Sequence, residues 1–272
     1  TIAPEESYNN EVGAPYSMLK ITPTTKFLVV ELGAGGPGSI SYLANMCKPD
    51  IAIELKVGLA HAGEFGGIEI TEQINAELVE GLDESGIALL NTDDSRVAGM
   101  RKRTKAKSLG FGTHADADFR ATDINLNLEG TSFRFHRPDA SIDSVQLQIL
   151  GEHHVYNALA ALATGELLGV DRKGSIAALE NMKLAERWRM ERHVRRDGLV
   201  VINDAYNASP DSMKAGLQTL AQLGKLSGKK TVAVIGEMAE LGEYSAHEHD
   251  AIGRICVRLN LSQVVVVGKG AK

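Results

Sequence analysis

Cysteine is scarce in this chain. The two present, Cys47 and Cys256, are far apart and lack a metal-ligand spacing. That excludes a disulfide framework or a cysteine-based zinc site, and it fits reduced core thiols of a cytoplasmic protein. No apolar run approaches the roughly 20 residues a membrane-crossing helix needs, so membrane insertion is not expected. Positive charge is also short. Against 35 Asp and Glu stand 29 Lys and Arg, a formal charge of −6, which argues against a nucleic-acid-binding surface. The nearest basic cluster, Lys102, Arg103, Lys105 and Lys107, reads as a solvated turn before a strand. There is no internal repeat, and no signal peptide opens the chain. The sequence begins at Thr1 and stops just past a strand-like run, so it reads as a fragment.

What is present is an ordinary globular composition, 43% hydrophobic, with a generous 28 glycines. A β-branched run at 26–32 reads as a strand, and 51–57, 86–90 and 106–111 read as further strands. Helices are expected at 38–46, at 70–82 (apolar residues at 70, 74, 78 and 82) and at 95–101. This alternation predicts a parallel sheet covered by helices. Three short runs at 121–128, 132–136 and 145–150 then read as a small antiparallel sheet, with a turn at Glu129-Gly130. An alanine-rich helix over 155–168 should be buried. The segment 185–196 is dense in charge, and a domain boundary is placed near 189–191. Beyond it, strands at 199–202, 231–235 and 264–267 alternate with helices at 210–223 and 247–259.

The motifs cluster at strand ends. Gly33 to Gly38 is a glycine-rich turn between a strand and a helix. It could pass for a dinucleotide fingerprint, but a proline sits inside it and no acidic residue follows at the usual distance. Glu31 ends the first strand-like run and His61 follows the second, at the edge where ligands bind in open α/β sheets. Asn157 lies on the apolar helix, where a buried amide would need partners; it either reads a base edge or ties off backbone. The segment 203–213 carries more polar residues than a turn requires. It reads both as a helix entry capped by Ser209 before Pro210 and as a nucleotide-contacting loop.

Taken in order, these motifs resemble the Mur ligase family. The residues carrying the likeness are Glu31-Leu32-Gly33-Ala34, Val57-Gly58 with Ala60-His61 and Glu64-Phe65-Gly66, Asn91 with Asp93-Asp94, and Gly151-Glu152-His153 with Asn157 to Ala161. Arg187 to Glu191, the 203–213 loop and Gly236 to Gly242 follow. The 203–213 loop and Ser7 to Gly13 resemble the branch that adds D-alanyl-D-alanine. The resemblance implies an α/β fold: a P-loop-type, mostly parallel sheet with helices on both faces and a small antiparallel sheet, followed by a partial Rossmann-like α/β domain. It divides the chain into a central ATPase domain over 1–189 and a truncated ligase domain over 190–272. It implies a monomeric cytoplasmic ligase using ATP and Mg²⁺, with UDP-N-acetylmuramoyl-tripeptide and D-alanyl-D-alanine as substrates. Carried onto this chain, Glu31 and His61 would bind Mg²⁺ and take part in catalysis. Asn157 would contact adenine. Arg189 and Asp204 would hold ribose and phosphates, with Tyr206 and Asn207 on the same side. Asn9, Asn10, Glu237, Met238 and Glu240 would face the muramoyl peptide or the dipeptide.

Two departures from the family stand out. The phosphate-binding Gly-x-x-x-x-Gly-Lys-Ser/Thr loop is nowhere in the chain, which truncation explains; this chain alone is then expected to be inactive. The family's carbamylated lysine on the helix after His61 is here Asn75, while Lys56 stands where the family shows asparagine. Either Lys56 reaches the same metal region from the strand side, or second-metal binding is lost. The competing readings are therefore an impaired or non-catalytic nucleotide-binding fragment, a folylpolyglutamate-synthase-like ligase, and a nicotinamide-dependent oxidoreductase resting on Gly33 to Gly38.

Overall fold

The computed structural model describes residues 1–60, 62–182 and 187–271. The chain divides into two compact units. The first comprises Thr1–Val57 and Phe65–Gly110, the second Gly58–Glu64 and Phe111–Lys272.

The first unit opens with a short helix α1 (Gly13–Met18), then α2 (Ser39–Cys47), strand β1 (Ile51–Glu54), the one-turn α3 (Ala62–Phe65) that ends in it, and α4 (Ile68–Glu80). Strand β2 (Ile87–Asn91), α5 (Ser95–Gly99) with a 3₁₀ turn at Met100–Lys102, and most of β3 (Lys107–Gly112) complete it. β1 and β2 pair in parallel, Ile51 opposite Ile87 and Glu54 opposite Leu90. The apolar stripe of α4 closes over them, so Ala76 and Val79 pack with Ala52, Ala88 and Leu90. Asp94 caps α5 by accepting hydrogen bonds from the Arg96 and Val97 amides, both at 3.0 Å.

The expected strand over 26–32 is the one element that fails to form a ladder. Leu28 makes a single parallel bridge to Ile2, with the Ile2 and Val29 amides donating across it. Val29 is 55% exposed. β-Branched residues favour extended backbone there, but one bridging residue cannot extend the pairing.

The second unit carries β4 (Phe119–Leu126), β5 (Thr131–His136) and β6 (Ile142–Leu147), then α6 (His153–Leu167) and α7 (Arg172–Glu180). The hairpin β7 (Glu191–Val194) and β8 (Val200–Asn203) follows, then α8 (Pro210–Ser227), β9 (Val232–Ile235), α9 (Ser245–Arg258) and β10 (Gln263–Val266). Strands β1 to β6 follow chain order within one sheet. β3–β4 is parallel, whereas β4–β5 and β5–β6 are antiparallel. A register shift between Thr122 and Asn125 leaves Asp123 at φ +52°, a bulge in β4. At the following turn, a side chain on Gly130 would collide with the Leu147 carbonyl oxygen, so glycine is required.

Arg137 is the buried member of a largely exposed ion network. Its guanidinium, with 2% of the side chain exposed, pairs with Asp143 at 2.6 Å and Glu166 at 2.7 Å. Glu166 also pairs with Arg172, which reaches Asp139. The network ties the β5–β6 hairpin to α6 and the start of α7. Two of these elements escape the sequence pattern. α7 buries none of its residues, so it shows no apolar stripe; its one signal is the Asp171 carboxylate accepting from the Gly174 amide. β7 reads Glu-Arg-His-Val, charged because only Glu191 is half-buried.

Candidate functional site

In the first unit, the candidate residues gather at the ends of extended segments. Asn9 Nδ2 donates to Glu31 Oε1 at 2.8 Å. The Asn9 carbonyl accepts from the Gly33 amide at 2.7 Å. A Cβ on Gly33 would come within 2.9 Å of Asn9 Cγ, so glycine permits the approach. Asn9 therefore clamps the Glu31–Gly33 corner by both main chain and side chain, leaving the exposed Glu31 carboxylate aimed from a fixed base. Asn10 does different work: its Oδ1 accepts from the Val12 and Gly13 amides at 3.1 and 2.8 Å, turning the chain into α1.

Lys56 is exposed on a segment held on both sides, by the end of β2 and by the cap of α5. Asn91 Nδ2 donates to the Leu55 carbonyl at 2.8 Å, and the Val57 amide donates to Asp94 Oδ2 at 3.3 Å. Its backbone is pinned while its side chain leaves β1 at the strand end. Asn75, half-buried, lies on α4.

The glycine-rich loop does not form a phosphate cradle. A helix N-terminus attracts anions because its amides are unpaired. At α2 those amides already have an anion. Glu77, from α4, accepts from the Gly38 amide at 2.6 Å and the Ser41 amide at 2.9 Å. This arrangement opposes the dinucleotide reading of Gly33 to Gly38.

In the second unit, Arg189, Asp204 and Tyr206 are brought together at the start of the β7–β8 hairpin. The Arg189 guanidinium lies 4.3 Å from the centroid of the Tyr206 ring. Asp204 Oδ1 accepts from the Met190 amide at 3.0 Å, and the Tyr206 amide donates to the Trp188 carbonyl at 3.2 Å. Trp188 and Met190, on either side of Arg189, both adopt left-handed backbone, at φ +62° and +50°. Strain of this kind in non-glycine residues persists only where surrounding contacts hold it. Asn207 Oδ1 accepts from the Ala208 amide at 2.8 Å. Ser209 and Ser212 then form a reciprocal capping box at the start of α8.

Asn157 departs from expectation. It is exposed rather than buried, because six other residues of α6 turn inward and Asn157 lies on the remaining face. Its Nδ2 lies 3.4 Å from His154 Nδ1. Sequence reasoning gave His154 no role, although it stands three residues before Asn157. Its Nε2 is buried with no hydrogen-bond partner among the described residues. Burial, then the charges of His153 and Arg189, push its pKa down to about 3, so the ring stays uncharged through neutral pH. An uncharged imidazole, an exposed amide and an arginine stacked on a tyrosine make a polar platform suited to a planar heterocycle and an anionic tail.

The segment 58–64 leaves β1 and packs within the second unit. A Cβ on Gly58 would lie 2.6 Å from Asp211 Oδ2, and one on Gly63 would collide with the Leu241 carbonyl carbon and the Gly242 nitrogen. His61 falls outside the described residues. In the 236–242 turn, Met238 is 2% exposed and packs with Leu217, Ala233, Leu241 and Ile252, whereas Glu237 and Glu240 are exposed. Glu240 is left-handed at φ +62°.

Comparison with known proteins gives this geometry its context. Residues 1–165 match the Mur ligase middle domain, and residues 188–272 match the Mur ligase, glutamate ligase domain. The chain is 43% identical over 272 residues to the UDP-N-acetylmuramoyl-tripeptide–D-alanyl-D-alanine ligase of Mycobacterium bovis, covering 99% of this chain and 53% of that protein. It is 33% identical to the enzyme of the same name from Escherichia coli, over 96% of this chain and 57% of that one. Among solved structures, MurF from Acinetobacter baumannii superposes with a TM-score of 0.91 at 31% identity, covering 99% of this chain and 58% of that one. MurF from Thermotoga maritima in complex with ADP gives 0.86 at 29%, over 99% and 61%. The chain thus spans a little over half the length of these relatives. With both domains matched in order, the chain belongs to the Mur ligase family.

Proposed function

We propose that the full-length protein containing this chain is an ATP-dependent amide ligase. It joins D-alanyl-D-alanine to a UDP-N-acetylmuramoyl-tripeptide in peptidoglycan precursor synthesis. The observation that carries this reading is the 43% identity across 272 residues to a protein of that name. In this reaction ATP phosphorylates the terminal carboxylate of the peptide. The amine of the dipeptide attacks the acyl phosphate, and the tetrahedral intermediate collapses to an amide with release of phosphate. The protein's part is to align the three groups and stabilise developing charge.

In this reading residues 1–189 form the ATPase domain and 190–272 the start of the ligase domain, and the protein works as a monomer in the cytoplasm. Among the described residues no helix is long and apolar enough to cross a membrane. Asn157 meets adenine, beside His154. Arg189 and Asp204 hold ribose and phosphates, with Tyr206 and Asn207 alongside. Asn9 orients Glu31, Asn10 shapes the adjoining turn, and Glu237 and Glu240 face the peptide substrates from a turn anchored by Met238.

Glu31, an exposed carboxylate with hard oxygen donors, would hold Mg²⁺; His61, the other expected ligand, lies outside the described residues. Mg²⁺ keeps several waters and takes one or two carboxylates plus substrate phosphates, so a sparse protein ligand set is in character. When bound, the ion supplies charge screening between phosphate and carboxylate. Lys56 would add positive charge from the end of β1.

Asn75 favours a second reading, a Mur-type protein with impaired turnover, because an amide cannot form the carbamate of the family's lysine. One assay separates the two. Full-length protein is mixed with ATP, Mg²⁺, the UDP-linked tripeptide and D-alanyl-D-alanine, and phosphate release and product mass are followed. Phosphate equal to amide product supports the ligase; nucleotide binding without product supports the impaired protein.

A further inference from the structure

The 236–242 turn has no regular secondary structure until the 3₁₀ segment Gly242–Tyr244, so something outside it must fix its shape. His249, on α9, does so. The Met238 amide donates to His249 Nε2 at 3.0 Å. At the other side of the ring, Nδ1 lies 2.7 Å from the Ser245 carbonyl oxygen. A carbonyl can only accept, so the hydrogen sits on Nδ1 and Nε2 is left as the acceptor the Met238 amide needs. Both ring nitrogens are committed, and this tautomer alone satisfies both contacts. The ring bridges the first turn of α9 to the middle of the 236–242 segment, eleven residues away in sequence.

The turn in turn presses on the segment 58–64. Its Leu241-Gly242 peptide occupies the space beside Gly63 that a side chain would need. Met238 is anchored in the core directly beneath, between exposed Glu237 and Glu240. We infer that His249 is a positioning residue: through the Met238 amide it sets the height of the Glu237 to Glu240 turn, and thereby the seat of the 58–64 loop. It touches no reacting atom. The inference rests on the ligase reading for its kinetic consequence, but its geometric content stands independently.

The test uses the full-length protein. Long-range ¹H–¹⁵N spectra of the histidine rings in the wild type should show one ring with its hydrogen on Nδ1 and an accepting Nε2, lost in His249→Ala. His249→Gln keeps an acceptor near the Nε2 position; His249→Ala keeps none. In His249→Ala, KM for the peptide substrates should rise about tenfold with KM for ATP within about twofold, and His249→Gln should recover most of the loss. A merely structural role would lower kcat through lost active protein and leave every KM unchanged, which overturns the inference. So does a ring with its hydrogen on Nε2. If the wild type ligates nothing, the ligase reading fails, and the ring spectra still decide the His249 contact.

Discussion

Glu54 is the only carboxylate on β1, and its neighbours in that strand are isoleucine and alanine. With 8% of its surface exposed, burial pushes its pKa from 4.5 up to about 8. The folded state therefore holds this proton to higher pH than the unfolded chain does. Stability from this group is full below about pH 4.5 and falls as pH rises toward 8. A shift of this size corresponds to about 5 kcal/mol. Glu54→Gln cannot ionise, so urea unfolding at pH 5 and pH 8.5 should show the wild type losing several kcal/mol relative to the variant; parallel profiles would refute the assignment. The alternation Ile-Ala-Ile-Glu already exposes the anomaly in the sequence, since position 54 shares a face with Ala52. Lys56, two residues on, carries a different expectation. If its charge serves the phosphoryl step, Lys56→Ala lowers kcat roughly 10²-fold while its thermal midpoint stays near that of the wild type. Wild-type turnover in that variant removes Lys56 from the mechanism.

Among the elements, the ion network around Arg137 and the cap of α8 give contrasting magnitudes. Arg137→Ala opens a buried void and leaves Glu166 with Arg172 as its partner, and should cost about 2–4 kcal/mol. Arg172→Ala, on a side chain 46% exposed, should cost no more than about 1 kcal/mol. Chemical denaturation of the two variants checks the ranking, and equal losses would show that the network acts as one unit. Ser209→Ala removes the capping box and should cost about 1 kcal/mol. That helix was readable in advance because Ser209-Pro210 announces it, as were α4 and α6 from their apolar faces. Segments with no fully buried face were silent: α7 packs on α6 and β6 without burying a whole residue, and β7 is charged almost throughout. The run at 26–32 misled for the converse reason, having the side chains of a strand and only one partner residue. Asn157 misled because a helix rich in alanine can be apolar on nearly every side and still leave one residue in water.

For the molecule as a whole, the motifs were legible as an ordered series, and which residues meet was not. Arg189 and Tyr206 are seventeen positions apart, and nothing in their spacing announces a stacked pair. The segment 58–64 follows β1 in sequence yet belongs to the second unit. Gly63→Ala places a methyl group against the Leu241-Gly242 backbone, so the loop must lift. In the full-length protein this should reduce kcat/KM at least about tenfold with little change in thermal midpoint, since the loop contributes little to either core. Unchanged kcat/KM would show that the close approach is incidental to turnover.

Glu77 leaves one more consequence. By lending its own carboxylate to α2, the protein has plugged a socket that free phosphate or sulfate would otherwise enter. Exchanging Glu77 for alanine would unplug that socket, and inorganic sulfate should then gain a foothold there that the parent lacks.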